Sequence, residues 1–429
     1  MRAAGRIAAA IEVLGDVTAR HRPVADALKD WGLSHRFAGS GDRAAIGNLV
    51  YDALRWRRSS AFRAGEDTPR ALTLATLRFR WGVGVADLEA MGEERFGPGP
   101  LSEAERAALA VDRLGEAPAD VVADIPDWLE EAFEANFADE WIEEAEALAA
   151  RAPVDLRVNT LKSDRARVLK ALSRHGATAT PISPVGVRLP ARAGWERAPN
   201  ILREEIYQRG HVEVQDEASQ VAALLLFARP GEQVLDMCAG AGGKTLAIAA
   251  HMENRGQIHA TDADAGQLAP IYERLKRAGV RNVQVHGARS DLSALKGRMD
   301  RVLVDAPCSG SGVWRRRPET KWRLSPEALA RRVEEQAACL DEARSFVRPG
   351  GYVVYVTCSV LPQENEAQVD DFLSRAPDFA PVSAGEAWEE LFGVDGPKPW
   401  SADGMSLTMS PAATGTDGFF VAVLERMAD

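Results

Sequence analysis

Two of the four cysteines stand where a chain does chemistry. The stretches "MDRVLVDAPCSGSGVW" (residues 299–314) and "GYVVYVTCSVLPQENE" (residues 351–366) each carry an apolar, strand-like run into a turn and a cysteine, Cys308 in the first and Cys358 in the second. The thiolate is the nucleophilic form of cysteine, and a helix N-terminus favours it; a helix is expected after Pro362, just behind Cys358. A lone buried cysteine is as a rule structural. Two at equivalent strand ends ask for a reaction that uses both.

Asp305, three residues before Cys308, adds a carboxyl group that can hold or deliver a proton. A reaction needing this set is methylation of carbon 5 of a cytosine. That carbon is a poor nucleophile until a thiolate adds to carbon 6 and converts the ring into an enamine, so covalent catalysis divides one hard step into two. The addition calls for a proton or strong hydrogen bond at ring nitrogen 3, the place for Asp305. Afterwards the carbon-5 proton must leave and the first thiol must be expelled, which gives a second thiol a use.

The methyl donor is read from "VLDMCAGAGGKTLAIAA", residues 234–250, a Gly-rich loop between a strand and a helix. Glycines there let the backbone approach a ligand and leave helix N-terminal amides free. A phosphate-binding P-loop needs glycine five residues before Gly243, where Cys238 stands; a dinucleotide fingerprint needs one three residues after Gly242, where Thr245 stands. Both fail. Asp236 ends the first strand and Asp262 the second; Asp262 either accepts hydrogen bonds from ribose hydroxyls or caps the next helix. S-adenosylmethionine has that ribose, and its sulfonium charge suits nearby carboxylates.

The elements that must position these groups follow from periodicity. Residues 1–80 carry apolar residues three and four apart, with Asp42 as an expected N-cap, and residues 85–150 continue as short helices. Around Arg151 the period changes: "VDLRVNT" and "VGVRLP" read as strands around a helix, "DRARVLKALSRHG". From Pro230 strands and helices alternate, which means a parallel sheet with helices on both faces, and "MSLTMSP" with "GFFVAVLER" suggests an antiparallel pair at its edge. The expected fold is α/β: a Rossmann-like, mostly parallel sheet over residues 230–429, an all-α domain over 1–145 and a small α+β unit over 151–229. In an open parallel sheet, ligands bind outside the carboxyl ends of the strands, where Cys308 and Cys358 both fall. Cys238 is expected beside the cofactor loop and Cys339 on an apolar helix face, neither with a chemical role.

The chain of 429 residues is 46% hydrophobic and 27% charged, and has no uncharged apolar run long enough to span a bilayer. Its N-terminus lacks a signal peptide's apolar core, and the cysteines form no CxxC pair, so free thiols in a reducing, cytoplasmic compartment are expected, with no membrane and no metal. The net charge of −11 is uneven: residues 1–80 carry +6, residues 81–150 carry −16 and the rest −1. A nucleic-acid site must therefore be a local basic patch. "WRRRPETKWR", residues 314–323, interleaves two Trp with basic residues, as stacking and phosphate contacts require, and equally as a solvated face does.

The blocks "DMCAGAGGKT", "VDAPCSGSG", "YVTCSVLPQENE", "RVNTLK" and "VEVQDEASQ" resemble the signatures of RNA cytosine carbon-5 methyltransferases, and they occur in that family's order over residues 151–429. The resemblance implies Cys358 as nucleophile, Cys308 as the residue assisting product release and Asp305 as the base-contacting acid. It implies a cofactor loop of Cys238, Ala239, Gly240, Ala241, Gly242, Gly243 and Lys244, with Asp262 on the ribose and S-adenosylmethionine as cofactor. "GDRAAIGNLVYDALRW" is similar to the NusB-like domain fused to the RsmB-type branch, which implies small-subunit ribosomal RNA as partner; the sequence does not specify an oligomeric state, and a monomer is the expectation. Arg157, Lys162, Arg315, Arg316, Arg317, Lys321 and Trp322 are the expected RNA contacts, extended by Arg55, Arg57 and Arg58.

Two departures stand out. The loop reads "AGAGG" where the family has Ala-Ala-Pro-Gly-Gly, and Ala288 stands where an acid usually meets the adenosine, with Asp291 as the nearby substitute. Three rivals are open: an exocyclic-amine methyltransferase, which needs no thiolate; a non-catalytic RNA-binding factor on a decayed methyltransferase, favoured by Ala288; and the same chemistry on transfer RNA.

Overall fold

The apolar spacing of the first eighty residues folds as helices. In the computed structural model, which describes residues 1–428, helices at Ala3–Arg20, Val24–Ser34, Ser40–Arg55, Arg57–Ala64 and Pro69–Ala75 bury Ile7, Leu14, Ile46, Leu49 and Leu72 in one core. Asp42 is not the N-cap but lies inside the first turn, its carboxylate accepting from the Gly39 N–H at 3.1 Å.

The chain divides into two units. The first comprises Met1–Ala152, Ala191–Ala198 and Val313–Leu324, and no strand occurs among its described residues. The third segment is an internal part of this unit. Trp314 is buried with its ring stacked on Phe133 at 5.9 Å, and Lys321 is buried with Nζ donating to the Arg55 carbonyl at 3.1 Å. The expected division at 145, 151 and 230 therefore does not describe the packing of residues 313–324, which leave the α/β unit for the helical one. A cavity of about 880 Å³ lies in the helical unit between residues such as Trp31, Phe37 and Phe96, and no residue of the expected chemistry lines it.

The second unit contains two sheets. Strands β1 (Val154–Val158), β2 (Thr178–Ala179), β3 (Gly186–Leu189) and β4 (Val212–Val214) form a small antiparallel sheet in the order β2-β3-β1-β4. The larger sheet takes β5 (Gln233–Asp236), β6 (Gln257–Thr261), β7 (Val283–His286), β8 (Met299–Asp305), β9 (Val347–Thr357), β10 (Phe379–Pro381), β11 (Ser406–Met409) and β12 (Phe419–Arg426). Its order is β10-β12-β9-β8-β5-β6-β7, with β11 also on β12. The strands from β5 to β9 run parallel, whereas β12 runs antiparallel to β9, β10 and β11. The two last strand-like runs thus pair as expected, but β12 is inserted beside β9 rather than closing the sheet.

The fold is the expected Rossmann-like α/β arrangement. Val302, Leu303 and Val304 on β8 and Val353 to Val356 on β9 are wholly buried, as strands covered on both faces require. Strand order reverses at β5, between β6 and β8, which makes the crevice beyond its carboxyl end the place for a ligand.

Candidate active site

Parallel pairing of β8 with β9 brings the two cysteines together. Asp305, at the end of β8, is in register with Val356, and each strand then runs on within three residues to its cysteine. The two sulfurs lie 3.3 Å apart, beyond the roughly 2.0 Å of a disulfide, and both thiols are free. The contact with Cys358 pushes the Cys308 thiol well above its ordinary range, burial and the Glu364 carboxylate act in the same sense, and a hydrogen bond from Gly310 opposes them. Cys308 is therefore held in its thiol form while it touches Cys358.

The two loops are tied together. Gly312 N–H donates to the Cys358 carbonyl at 3.0 Å, Val360 N–H to the Ser311 hydroxyl at 2.9 Å, and the Ser311 and Ser359 hydroxyls share a bond of 2.9 Å. Gly312 must be glycine: a Cβ there would lie 2.0 Å from the Gly418 carbonyl oxygen, where β12 approaches. The helix expected behind Cys358 starts at Glu366, after a 3₁₀ turn over Pro362–Glu364. Its preceding residue, Asn365, accepts from the Thr357 hydroxyl at 2.6 Å and donates to the Ser359 carbonyl at 3.1 Å. Cys358 does not cap that helix, so the expected helix-terminus effect on its thiol is not built in this way.

Asp305 is half-buried and accepts from Lys244 Nζ at 2.7 Å, and the ammonium also stands 5.0 Å from the Phe419 ring centre. Lys244 is buried in the first turn of the helix Gly243–His251, so the Gly-rich loop and the Cys308 strand meet at this ion pair.

The loop itself is pinned at several points. Asp262 accepts from Gly240 N–H and from Asp264 N–H, each at 2.8 Å. Asp264, not Asp262, caps the helix that follows, accepting from Gly266 N–H at 2.8 Å and Gln267 N–H at 3.3 Å. The capping alternative for Asp262 falls. Gly242 has φ 82°, and a Cβ on it would lie 2.5 Å from Ile271, whereas a Cβ on Gly240 would meet nothing within 4 Å. Beneath the loop, Asp236 is wholly buried; Oδ2 accepts from the Thr245 hydroxyl at 2.7 Å and Oδ1 has no partner. Burial pushes its carboxyl up to about 7, the Thr245 bond opposing. Cys238 shares a hydrogen bond with Cys339, which together with burial pushes the Cys238 thiol up. Asp291 is exposed and accepts from Ser293 N–H at 2.9 Å, and that bond holds its carboxyl below the usual range.

Several expected RNA contacts are internal. Arg157 is buried, its Nε 2.6 Å from Gln215 Oε1, and burial lowers its guanidinium to about 10 with Glu213 as opposing charge. Lys162 is exposed, but Nζ donates to the Arg277 and Arg209 carbonyls at 2.6 and 3.2 Å. In the helical unit Arg315, Lys321 and Arg55 are buried, and Trp322 Nε1 donates to the Leu54 carbonyl at 2.6 Å. Arg57 binds Asp67 and Arg58 binds Asp120. A direct RNA role for Arg157, Arg315, Lys321 and Arg55 is corrected by burial; Trp322 is half-buried, its indole N–H tied to the Leu54 carbonyl. Arg316 is half-buried and Arg317 exposed. Among the described residues, no cluster fit for a metal and no helix long and apolar enough to cross a membrane occurs.

The sequence model of a family described as 16S rRNA methyltransferase RsmB/F matches residues 223–425, and that of the RsmF/B-like ferredoxin-like domain matches residues 125–194. The chain is similar to ribosomal RNA small subunit methyltransferase B of Cronobacter sakazakii, 36% identical over 303 residues, which are 70% of this chain and 66% of that one. The probable ribosomal RNA small subunit methyltransferase B of Synechocystis is 33% identical over 307 residues, again 70% and 66%. The chain thus spans just under two thirds of the length of these relatives. A methyltransferase homolog from Pyrococcus horikoshii superposes with a TM-score of 0.59 at 26% identity, over 72% of this chain and 98% of that one. The structure of PH0851 superposes with a TM-score of 0.74 at 23% identity over 99% of both chains, a likeness of fold.

Proposed function

Because the chain belongs to the 16S rRNA methyltransferase RsmB/F family, we propose that it methylates carbon 5 of a cytosine in RNA, small-subunit ribosomal RNA first among candidates, with Cys358 as covalent nucleophile. The observation that carries this reading is the 3.3 Å approach of two free thiols beside Asp305, at the carboxyl ends of adjacent parallel strands.

The donor is S-adenosylmethionine, which when bound supplies a methyl group activated by positively charged sulfur. The residues present fit it: Asp262 for the ribose hydroxyls, open space beside Gly240, and the unpartnered Oδ1 of Asp236 beneath the loop. Cys358 adds as thiolate to carbon 6, forming a carbon–sulfur bond while the ring double bond opens toward carbon 5. Asp305 takes a proton from the Lys244 ammonium paired with it and holds that proton at ring nitrogen 3. After carbon 5 is methylated, with Cys358 bonded to carbon 6 and no longer in contact as a thiol, Cys308 gives its own proton to solvent and as thiolate takes the carbon-5 proton; the ring double bond re-forms between carbons 5 and 6, and Cys358 leaves as thiolate. The target base must be unpaired or flipped to reach this pair.

Replacing Cys308 with Ala blocks only release. The C308A enzyme accumulates an RNA–protein adduct that survives denaturing electrophoresis, and C308A/C358A does not. Methylation by C308A without an adduct would remove Cys308 from release, and methylation by C358A would remove the thiol mechanism.

A further inference from the structure

A single buried acid on the Cys358 loop holds the Cys308 loop. Glu364, wholly buried, accepts from the Ser309 N–H at 2.7 Å on one carboxylate oxygen and from the Ser309 hydroxyl at 2.5 Å on the other. Gln336, also buried, donates through Nε2 to Glu364 Oε1 at 3.0 Å and to the Pro307 carbonyl at 2.9 Å. The residues on both sides of Cys308 are thereby fixed, Pro307 through Gln336 and Ser309 through Glu364. Glu364 is itself anchored to β9, where the Tyr355 hydroxyl donates to its carbonyl at 2.7 Å.

Chemistry favours a functional reason for this acid. A buried carboxylate is costly unless paired, yet every bond to this one comes from a neutral donor. A carboxylate accepts on both oxygens, so it is the side chain that receives a backbone amide, a hydroxyl and a carboxamide at once. We propose that Glu364 is a positioning residue that sets the separation of Cys308 from Cys358 by clamping Ser309. Cys308 is then held within reach of a carbon already bonded to Cys358. That consequence for turnover rests on the reaction proposed above, whereas the thiol geometry does not.

The test uses diamide, an azo oxidant that takes one hydrogen from each of two neighbouring thiols and leaves a disulfide. The full-length protein is treated briefly, and the Cys308–Cys358 cross-link is measured by peptide mass spectrometry, which separates it from any involving Cys238 and Cys339. Glu364→Gln keeps acceptors for Ser309 N–H and Gln336, and the serine hydroxyl can turn to accept, so it cross-links near the wild-type rate. Glu364→Ala frees the loop and cross-links at least roughly tenfold more slowly; its kcat for RNA methylation falls about 10²-fold while KM changes less than about twofold, as displacement of a reacting group by about 1 Å entails. Wild-type cross-linking by a folded E364A overturns the clamp. Should E364A not melt cooperatively, Ser309→Ala, which deletes one of the clamped donors, must slow cross-linking, and a wild-type rate there overturns it equally. Correct cross-linking behaviour with no methylation by the wild type sinks the reaction and leaves the clamp.

Discussion

The sulfur atoms of Cys308 and Cys358 lie 3.3 Å apart although 50 residues separate them in the chain. The separation follows from sheet topology: β8 and β9 are parallel neighbours, so groups beyond their carboxyl ends are held side by side with the intervening helix Pro326–Arg344 out of the way. In the proposed reaction the two thiols in contact serve one substrate carbon frame in succession, and the neighbouring ion pair supplies the acid.

Asp305 and Lys244 should separate chemistry from binding. Asp305→Asn retains size but not the acid, and kcat falls by about 10²- to 10⁴-fold with KM for S-adenosylmethionine little changed. Lys244→Met leaves Asp305 without its cation and also disturbs the first turn of the loop helix, so kcat falls and KM for the cofactor rises together. Steady-state transfer of a tritiated methyl group reads both.

Asp236 carries a pH signature in stability. Its folded-state pKa, about 7, lies above the ordinary 3.8, so the folded chain binds the proton more tightly. The contribution to stability is fully present below the ordinary value and is lost as pH rises toward about 7, up to roughly 4 kcal/mol. Asp236→Asn cannot ionise, and its Tm relative to the parent therefore rises between pH 5 and pH 8. An equal Tm difference at both pH values contradicts the buried, titrating carboxyl.

Lys321 and Arg317 test which basic residues face RNA. Lys321 is buried, its ammonium lowered to about 8 by burial with Asp124 as the opposing charge, so Lys321→Met costs about 3 kcal/mol or more and leaves the salt dependence of RNA binding unchanged. Arg317 is exposed. Arg317→Ala leaves Tm in place and lowers the slope of log affinity against log salt by about 0.7 to 0.9 for each phosphate contact removed. Filter binding at several salt concentrations, beside thermal melts, decides between these assignments.

What the sequence made legible was local. Strand runs ending at Asp236, Asp305 and Thr357 are marked by apolar residues followed by Gly, Pro or Ser, and the α/β alternation orders them, so the sequence alone places both cysteines at one sheet edge. The roles of Arg157, Lys321 and Glu364 were not legible, because each depends on a distant partner. Arg157 faces Gln215 and Glu213, Lys321 meets Arg55 some 266 residues away, and Glu364 reaches Ser309 across 55. A basic run looks the same in one dimension whether it lies on a surface or inside a helical unit. The acid in "PQENE" resembled a helix-start residue, and only the fold-back of the 3₁₀ turn turns it toward Ser309.

The most direct measurement is site-resolved mapping of 5-methylcytosine in ribosomal and transfer RNA from host cells carrying either the wild-type gene or only Cys358→Ala. The account predicts that one cytosine of small-subunit ribosomal RNA loses its methyl group with the thiol while every other site is unchanged. Full methylation of all sites in the Cys358→Ala cells would contradict it.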